Sequence, residues 1–365
     1  MSLSGKAPDY IRSIHPYQPG KPISELAREM GLDASRIVKL ASNENPLGMS
    51  QAARDAMMAA CGQVGRYPDG NGFELKAALS SRLGVGPERI ALGNGSNDVL
   101  DMAARAFLDR ESEAVYSEYA FAVYPLATQT VGATGVSVPA RAFGHDLDAM
   151  AGAIGPRTRV VFIANPNNPT GTFLPGSQLL AFLARVPSDV LVVLDEAYTE
   201  YLDDSQRYDS MAWLERFPNL LVSRTFSKAY GLAGLRVGYG VGSAAVIDLL
   251  NRVRQPFNVS GVGLAAATAA LADEEFLARS ATLNRRGMEQ LVAGVDRLGL
   301  TWIPSAGNFL TVRVGDAAAV NRRLLERGVI VRPIGGYGLP EWLRISIGLP
   351  EENAAFLDAL AAVVA

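Results

Sequence analysis

The chain has 365 residues, with 34 Lys and Arg against 37 Asp and Glu, a formal net charge of −3. That balance excludes a protein built to grip the nucleic-acid backbone, and 48% apolar with 19% charged residues excludes a disordered chain. One cysteine, Cys61, excludes an intrachain disulfide, and two distant histidines, His15 and His145, exclude a two-histidine zinc motif.

The first ten residues carry no apolar signal core, and no run reaches the roughly 18 apolar residues of a membrane span. The expectation is a cytoplasmic protein with no membrane or nucleic-acid partner. At about 150 residues per domain the length predicts two domains. Residues 1–44 carry Pro8, Pro16, Pro19 and Pro22 and predict an arm with one short helix, Ile23–Met30, contributing to a small domain. The arm is expected to pack on that domain or on a neighbouring subunit.

Residues 45–265 alternate short β-branched runs with helical patterns. Ile90–Leu92 leads into a helix through Leu108; Val115–Tyr116 follows; Val160–Ala164 precedes a helix near Gly176–Ala184; then come Val190–Leu194, Leu220–Ser223 and Arg236–Val241. Several of these runs are apolar at every position, the mark of strands buried on both faces. The fold class is therefore α/β, with a mostly parallel central sheet and helices on both faces. Residues 266–365 predict a smaller α+β domain: a long helix over 273–298, strands at 309–314, 329–332 and 343–347, and helices at 317–327 and from Glu351.

Three apolar runs end in polar residues at the edge where open α/β sheets bind ligands. Val160–Ala164 runs into Asn165-Pro-Asn-Asn-Pro-Thr-Gly171, Val190–Leu194 into Asp195 with Tyr198 beyond it, and Asn219–Val222 into Ser223-Arg-Thr225-Phe-Ser227-Lys228. A lone lysine in such a place is ordinarily solvated, and a lone Asp after a strand is ordinarily a helix cap. The company they keep favours a site, where a desolvated lysine amine is a nucleophile. Gly93-Asn-Gly95-Ser96-Asn-Asp98 follows a strand and opens a helix, which suits an anion and equally suits a capped turn. The Gly238-Tyr-Gly240-Val-Gly242 run reads as close packing. Together the set supplies what pyridoxal 5'-phosphate requires: an amine for the aldehyde, a carboxylate for the pyridine nitrogen, donors for the ring oxygen, and a helix N-terminus with hydroxyls and an arginine for the phosphate.

The Asn165–Gly171 run, Leu194-Asp-Glu-Ala-Tyr198 and Ser227-Lys-Ala-Tyr-Gly-Leu-Ala-Gly-Leu-Arg236 resemble the fold type I aminotransferases of the class I/II group. So do His15-Pro-Tyr17, Ala41-Ser-Asn43-Glu-Asn-Pro46, Arg66-Tyr67-Pro68 and Leu343-Arg344-Ile-Ser-Ile-Gly348. The resemblance covers residues 12–350. It implies pyridoxal 5'-phosphate as cofactor, ping-pong transamination with 2-oxoglutarate, and a homodimer with shared active sites. Histidinol phosphate is the implied amine donor, an aromatic amino acid the alternative, and a non-catalytic binding relative the reading from another class.

The resemblance also implies roles. Lys228 is the Schiff-base lysine and Asp195 the partner of the pyridine nitrogen, with Asn165 and Tyr198 at the ring oxygen. Gly95, Ser96, Ser227 and Arg236 hold the phosphate, with Thr225 close by. Tyr119 stacks on the ring, with Phe121 as the second candidate. Tyr67 reaches the phosphate in the partner subunit. Arg344 and Arg332, with Asn43 and with Tyr17 from the other subunit, bind the substrate's acidic group. Ser117-Glu118-Tyr119 stands where relatives often carry a Pro-Thr-aromatic run.

Overall fold

The computed structural model describes residues 3–364; Met1, Ser2 and Ala365, assigned above to the two ends of the chain, lie outside the described residues. In chain order the strands are β1 (Val38–Lys39), β2 (Ile90–Asn94), β3 (Glu113–Ser117), β4 (Thr134–Val138), β5 (Thr158–Ala164), β6 (Leu191–Asp195), β7 (Leu220–Thr225) and β8 (Val237–Val241). They continue as β9 (Trp302–Ile303), β10 (Phe309–Arg313), β11 (Val329–Ile330), β12 (Arg332–Pro333) and β13 (Trp342–Ser346).

Seven strands form the central sheet in the order β2-β8-β7-β6-β5-β3-β4. The neighbours from β7 to β4 are parallel, and only β8 runs against its neighbours β7 and β2. Both faces are covered, as the unbroken apolar runs require. Val161, Ile163, Val192 and Leu194 meet one core with the helices Phe73–Leu83, Gly176–Leu183 and Gly261–Leu271. Val160, Phe162, Leu191 and Val193 meet the other with the helices Ser96–Phe107, Val123–Thr130 and Ala244–Val253. The boundary expected at 265/266 falls inside the helix Gly261–Leu271, whose Ala266, Ala267, Ala270 and Leu271 belong to the large core. Packing thus carries the large unit to Leu271.

The C-terminal region has a four-stranded antiparallel sheet, β12-β13-β10-β9, backed by the helices Glu274–Arg297, Ala317–Glu326 and Pro350–Val364. The run 329–332 is not one strand but two. β11 pairs in parallel with β1, while β12 pairs with β13. The N-terminal segment is thereby sewn onto the C-terminal one. Its helix Ile23–Met30 places Leu26 against Ile37, Ala41 and Ile330.

Candidate active site

Three parallel strands deliver their C-terminal ends to one place. β5, β6 and β7 lie side by side, with Ala164 opposite Asp195 and Asp195 opposite Ser223. There they border a cavity of about 370 Å³ lined by Asp195, Tyr198, Thr225, Ser227, Lys228, Ser96, Arg236, Arg332 and Arg344, among others.

Lys228 lies three residues beyond β7. Its Nζ donates to the Ser42 carbonyl at 3.1 Å and stands 5.9 Å from the centre of the Tyr198 ring. Burial, and next the positive Arg344, push its amine down to about 8. A neutral amine is thus far more available at neutral pH than in an ordinary lysine.

Asp195 is the last residue of β6 and is buried. Its Oδ2 accepts from the Tyr124 hydroxyl at 2.9 Å, and its Oδ1 is buried with no partner among the described residues. Burial lifts the carboxyl to about 6, so it is still largely ionised at neutral pH. A buried carboxylate oxygen without a donor is costly, and a ligand N–H at this point completes it.

At the next wall the Tyr198 hydroxyl oxygen accepts from Asn43 Nδ2 at 2.9 Å and Asn168 Nδ2 at 3.1 Å. Burial raises this phenol to about 12, keeping it a hydroxyl with one proton to donate. The sequence-based choice of Asn165 for this cluster needs correction. Asn165 is fully buried under the cavity wall, where its Nδ2 donates to the Leu174 carbonyl and to Tyr208 Oη, both at 3.0 Å, and its Oδ1 accepts from the Leu174 amide. Asn168 lines the cavity in its place. Both Asn-Pro pairs sit in one turn, and the backbone aims only the second of them at Tyr198.

The anion end is built on the helix Ser96–Phe107. Gly95 caps it at φ +76°. Arg236, itself at φ +54°, donates to Ser227 Oγ at 3.0 Å and to the Ala233 carbonyl at 3.2 Å. Thr225 Oγ1 accepts from the Ser227 amide at 3.1 Å, fixing the turn that carries Ser227 and leads to Lys228. A Cβ on Gly238 would collide with the Ser96 amide, so the glycine run of β8 lets the strand approach the helix end, as its sequence predicts. The helix N-terminus, the Ser96 and Ser227 hydroxyls and the Arg236 guanidinium together suit an anion such as a phosphate.

Across the cavity, Arg344 on β13 is buried. It donates to Asn168 Oδ1 at 2.5 Å and to the Ala41 carbonyl at 2.9 Å, and its Nε has no partner among the described residues. Arg332 on β12 lies 5.3 Å from the Tyr17 ring centre, and both residues line the cavity. Tyr17, expected from a partner subunit, thus borders the cavity of its own chain.

Two aromatic assignments separate. Tyr119 packs against Phe143, ring centres 6.1 Å apart, in the cluster of Ile303, Ile334, Leu339 and Trp342, and is not among the residues bordering the cavity. Phe121, the second candidate for the stacking role, borders it. Tyr67 stands 82% exposed, stacked on Phe257 at 4.6 Å, and takes no part in its own chain's cavity. Tyr124, Asn168 and Asn97 border the site without having been singled out from the sequence. For Asn168 the signal was present, an Asn-Pro in the same motif. For Tyr124 the only signal was a tyrosine three residues beyond Phe121.

Aminotransferase class I and II is the family whose model matches, over residues 35–360. The chain is a class I/II aminotransferase. Histidinol-phosphate aminotransferase 1 of Cupriavidus pinatubonensis is 64% identical over 97% of this chain and 95% of its own. Histidinol-phosphate aminotransferase 2 of Ralstonia nicotianae is 63% identical over 98% and 97%. Among solved structures, histidinol-phosphate aminotransferase from Sinorhizobium meliloti, in complex with pyridoxal-5'-phosphate, superposes with a TM-score of 0.91 at 30% identity, covering 98% of this chain and 97% of that one. The aspartate aminotransferase of Thermus thermophilus, at 24% identity and a TM-score of 0.83, shares the fold. The aminotransferase fold thus has the large α/β sheet and smaller α+β sheet that the residue pattern predicts.

Proposed function

We propose that this aminotransferase transfers the amino group of L-histidinol phosphate to 2-oxoglutarate, giving imidazole-acetol phosphate and L-glutamate in histidine biosynthesis, with pyridoxal 5'-phosphate as cofactor. The observation that carries the reading is a buried amine, Lys228 Nζ, sharing one cavity with a buried carboxylate oxygen, Asp195 Oδ1, that lacks a donor. The names of the full-length relatives support the choice of substrate.

When bound, the cofactor supplies an electrophilic aldehyde and a protonated ring that delocalises the electron pair left on the substrate carbon. Lys228 Nζ would hold the cofactor at its aldehyde and, once free as an amine, would carry the proton away from the amine-bearing carbon of the substrate. Asp195 Oδ1 would accept the ring N–H and keep it protonated. Tyr198 and Asn168 hold the ring oxygen, and Phe121 covers the ring face. Gly95, Ser96, Ser227 and Arg236 hold the cofactor phosphate, with Thr225 bracing the turn. Arg344 and Arg332, with Tyr17 and Asn43 beside them, receive the substrate's phosphate in one half-reaction and a carboxylate of 2-oxoglutarate in the other. Guanidinium forks suit both groups. The working form is a cytoplasmic homodimer in which Tyr67 of each chain reaches the other chain's cofactor phosphate.

Glutamate formation from histidinol phosphate and 2-oxoglutarate tests the substrate, with phenylalanine as the competing donor. Higher kcat/KM for phenylalanine would overturn the assignment. Lys228→Ala is expected to remove turnover entirely, and borohydride is expected to fix the cofactor to wild type but not to this variant.

A further inference from the structure

Tyr124 is the largest fully buried polar aromatic at the site. It sits on the helix Val123–Thr130, and its ring lies flat on Phe162 of β5, with centres 4.8 Å apart and planes 5° apart. Phe121 meets its edge at 5.9 Å. The ring therefore has one seat, and its hydroxyl one target, Asp195 Oδ2 at 2.9 Å.

We propose that Tyr124 is the positioning residue of the Asp195 carboxylate: by occupying Oδ2 it presents Oδ1 to the cavity and holds the carboxyl ionised, and so sets how tightly the pyridine nitrogen is held. The inference rests on the cofactor reading above and deepens it. The direction of the bond is fixed. An ionised carboxylate only accepts, and burial together with the neighbouring Asp195 charge holds the phenol far above its ordinary range, so it stays a donor. The groups facing Asp195 are Tyr124 from its helix, Lys228 from the loop after β7, and Glu196 with the Ala197 amide on its own segment; Tyr198 stands nearby. Burial and the Glu196 charge favour the protonated carboxyl, whereas Tyr124, the Ala197 amide and Lys228 oppose them. Removing the hydroxyl tips that balance towards protonation, and a protonated Asp195 no longer keeps a ring nitrogen charged.

The test is Tyr124→Phe, which keeps the ring on Phe162. In the holoenzyme we expect the Kd of pyridoxal 5'-phosphate to rise about tenfold, the size of a lost hydrogen bond to a charged group. The acidic limb of kcat/KM moves to higher pH by about one unit, and KM for histidinol phosphate stays within about twofold. On an Asp195→Asn background the same substitution changes the cofactor Kd less than about twofold, because the effect passes through the carboxylate. An equal loss on both backgrounds, or an unmoved acidic limb, overturns the proposal. If Tyr124→Phe yields no folded protein, 3-fluorotyrosine at position 124, a stronger donor of nearly the same shape, must shift the acidic limb to lower pH; no shift overturns it. If wild type and Asp195→Asn bind pyridoxal 5'-phosphate equally, the cofactor reading itself fails. If they differ while Tyr124→Phe matches wild type, only the positioning role fails.

Discussion

Lys228 and Asp195 are pushed by burial in opposite directions, and both moves favour the neutral forms. The lysine falls to about 8 and the aspartate rises to about 6, which leaves a window between them where the carboxylate is charged and a useful fraction of the amine is not. Cofactor uptake by the apoenzyme requires the neutral amine. Its rate is expected to climb with pH and level off above about 8, whereas a solvated lysine would keep climbing towards about 10.4. Stopped-flow absorbance after mixing with pyridoxal 5'-phosphate reads this directly, and an inflection near the solvated value would contradict the desolvated amine. The two asparagines of the Asn165–Gly171 turn give a second prediction. Asn165→Ala leaves the part-buried Leu174 amide and carbonyl without their side-chain partner and should cost about 1–3 kcal/mol of stability. Asn168→Ala should cost little stability and lower kcat/KM by about tenfold or more, since it frees both Tyr198 and Arg344. Thermal melts set beside kinetics separate them. The motif as a whole was legible in the sequence. Which asparagine faces the cavity was not, because that depends on how the turn is oriented and not on residue type. The same holds for Tyr119 and Phe121, two aromatics two residues apart in a loop whose sequence has no period to read.

At the level of elements, the legible parts were those with the strongest patterns. The all-apolar runs of β5 and β6 could only be doubly covered strands, and the helix Ile23–Met30 has the bounds its sequence predicts. The edge strand β4, Thr-Gly-Val-Ser-Val, has only Val138 buried and carried no such signal. The β1–β11 pair is two residues long on each side and exists only because distant segments meet. The anion end at the start of the helix Ser96–Phe107 depends on a backbone that a side chain would spoil. Gly95 sits at positive φ, and a Cβ there would collide with the Arg236 guanidinium. Gly95→Ala is therefore expected to weaken pyridoxal 5'-phosphate binding at least about tenfold by displacing Arg236, with a stability cost of about 1–2 kcal/mol from the strained backbone. Equilibrium titration of the apoprotein measures the first, and a denaturant midpoint the second.

For the whole molecule, the proposed homodimer calls for an apolar surface on each chain. Met58, Val64, Tyr67, Phe73 and Phe257 are large apolar side chains left in solvent. Light scattering is expected to give twice the mass of one chain. If Tyr67 serves its partner's cofactor, two defective chains should repair each other. Tyr67→Ala and Lys228→Ala homodimers, each impaired, should regain activity on mixing and subunit exchange, because one cavity of the mixed dimer then holds both wild-type residues. No gain on mixing would place Tyr67 outside the site.

Residues 41 and 42 also set how strongly a guest of the cavity must bind. Arg344 and Lys228 each rest on a carbonyl oxygen, those of Ala41 and Ser42. An uncharged guest can only exchange one dipole for another at these cations, and gains little. A guest with a full negative charge replaces a dipole by a monopole, and gains much. The threshold that any guest must exceed at these cations is thus written partly in main-chain atoms, where no substitution table would look for it. A change in loop length between β1 and Asn45 would alter that threshold while leaving every recognised side chain in place.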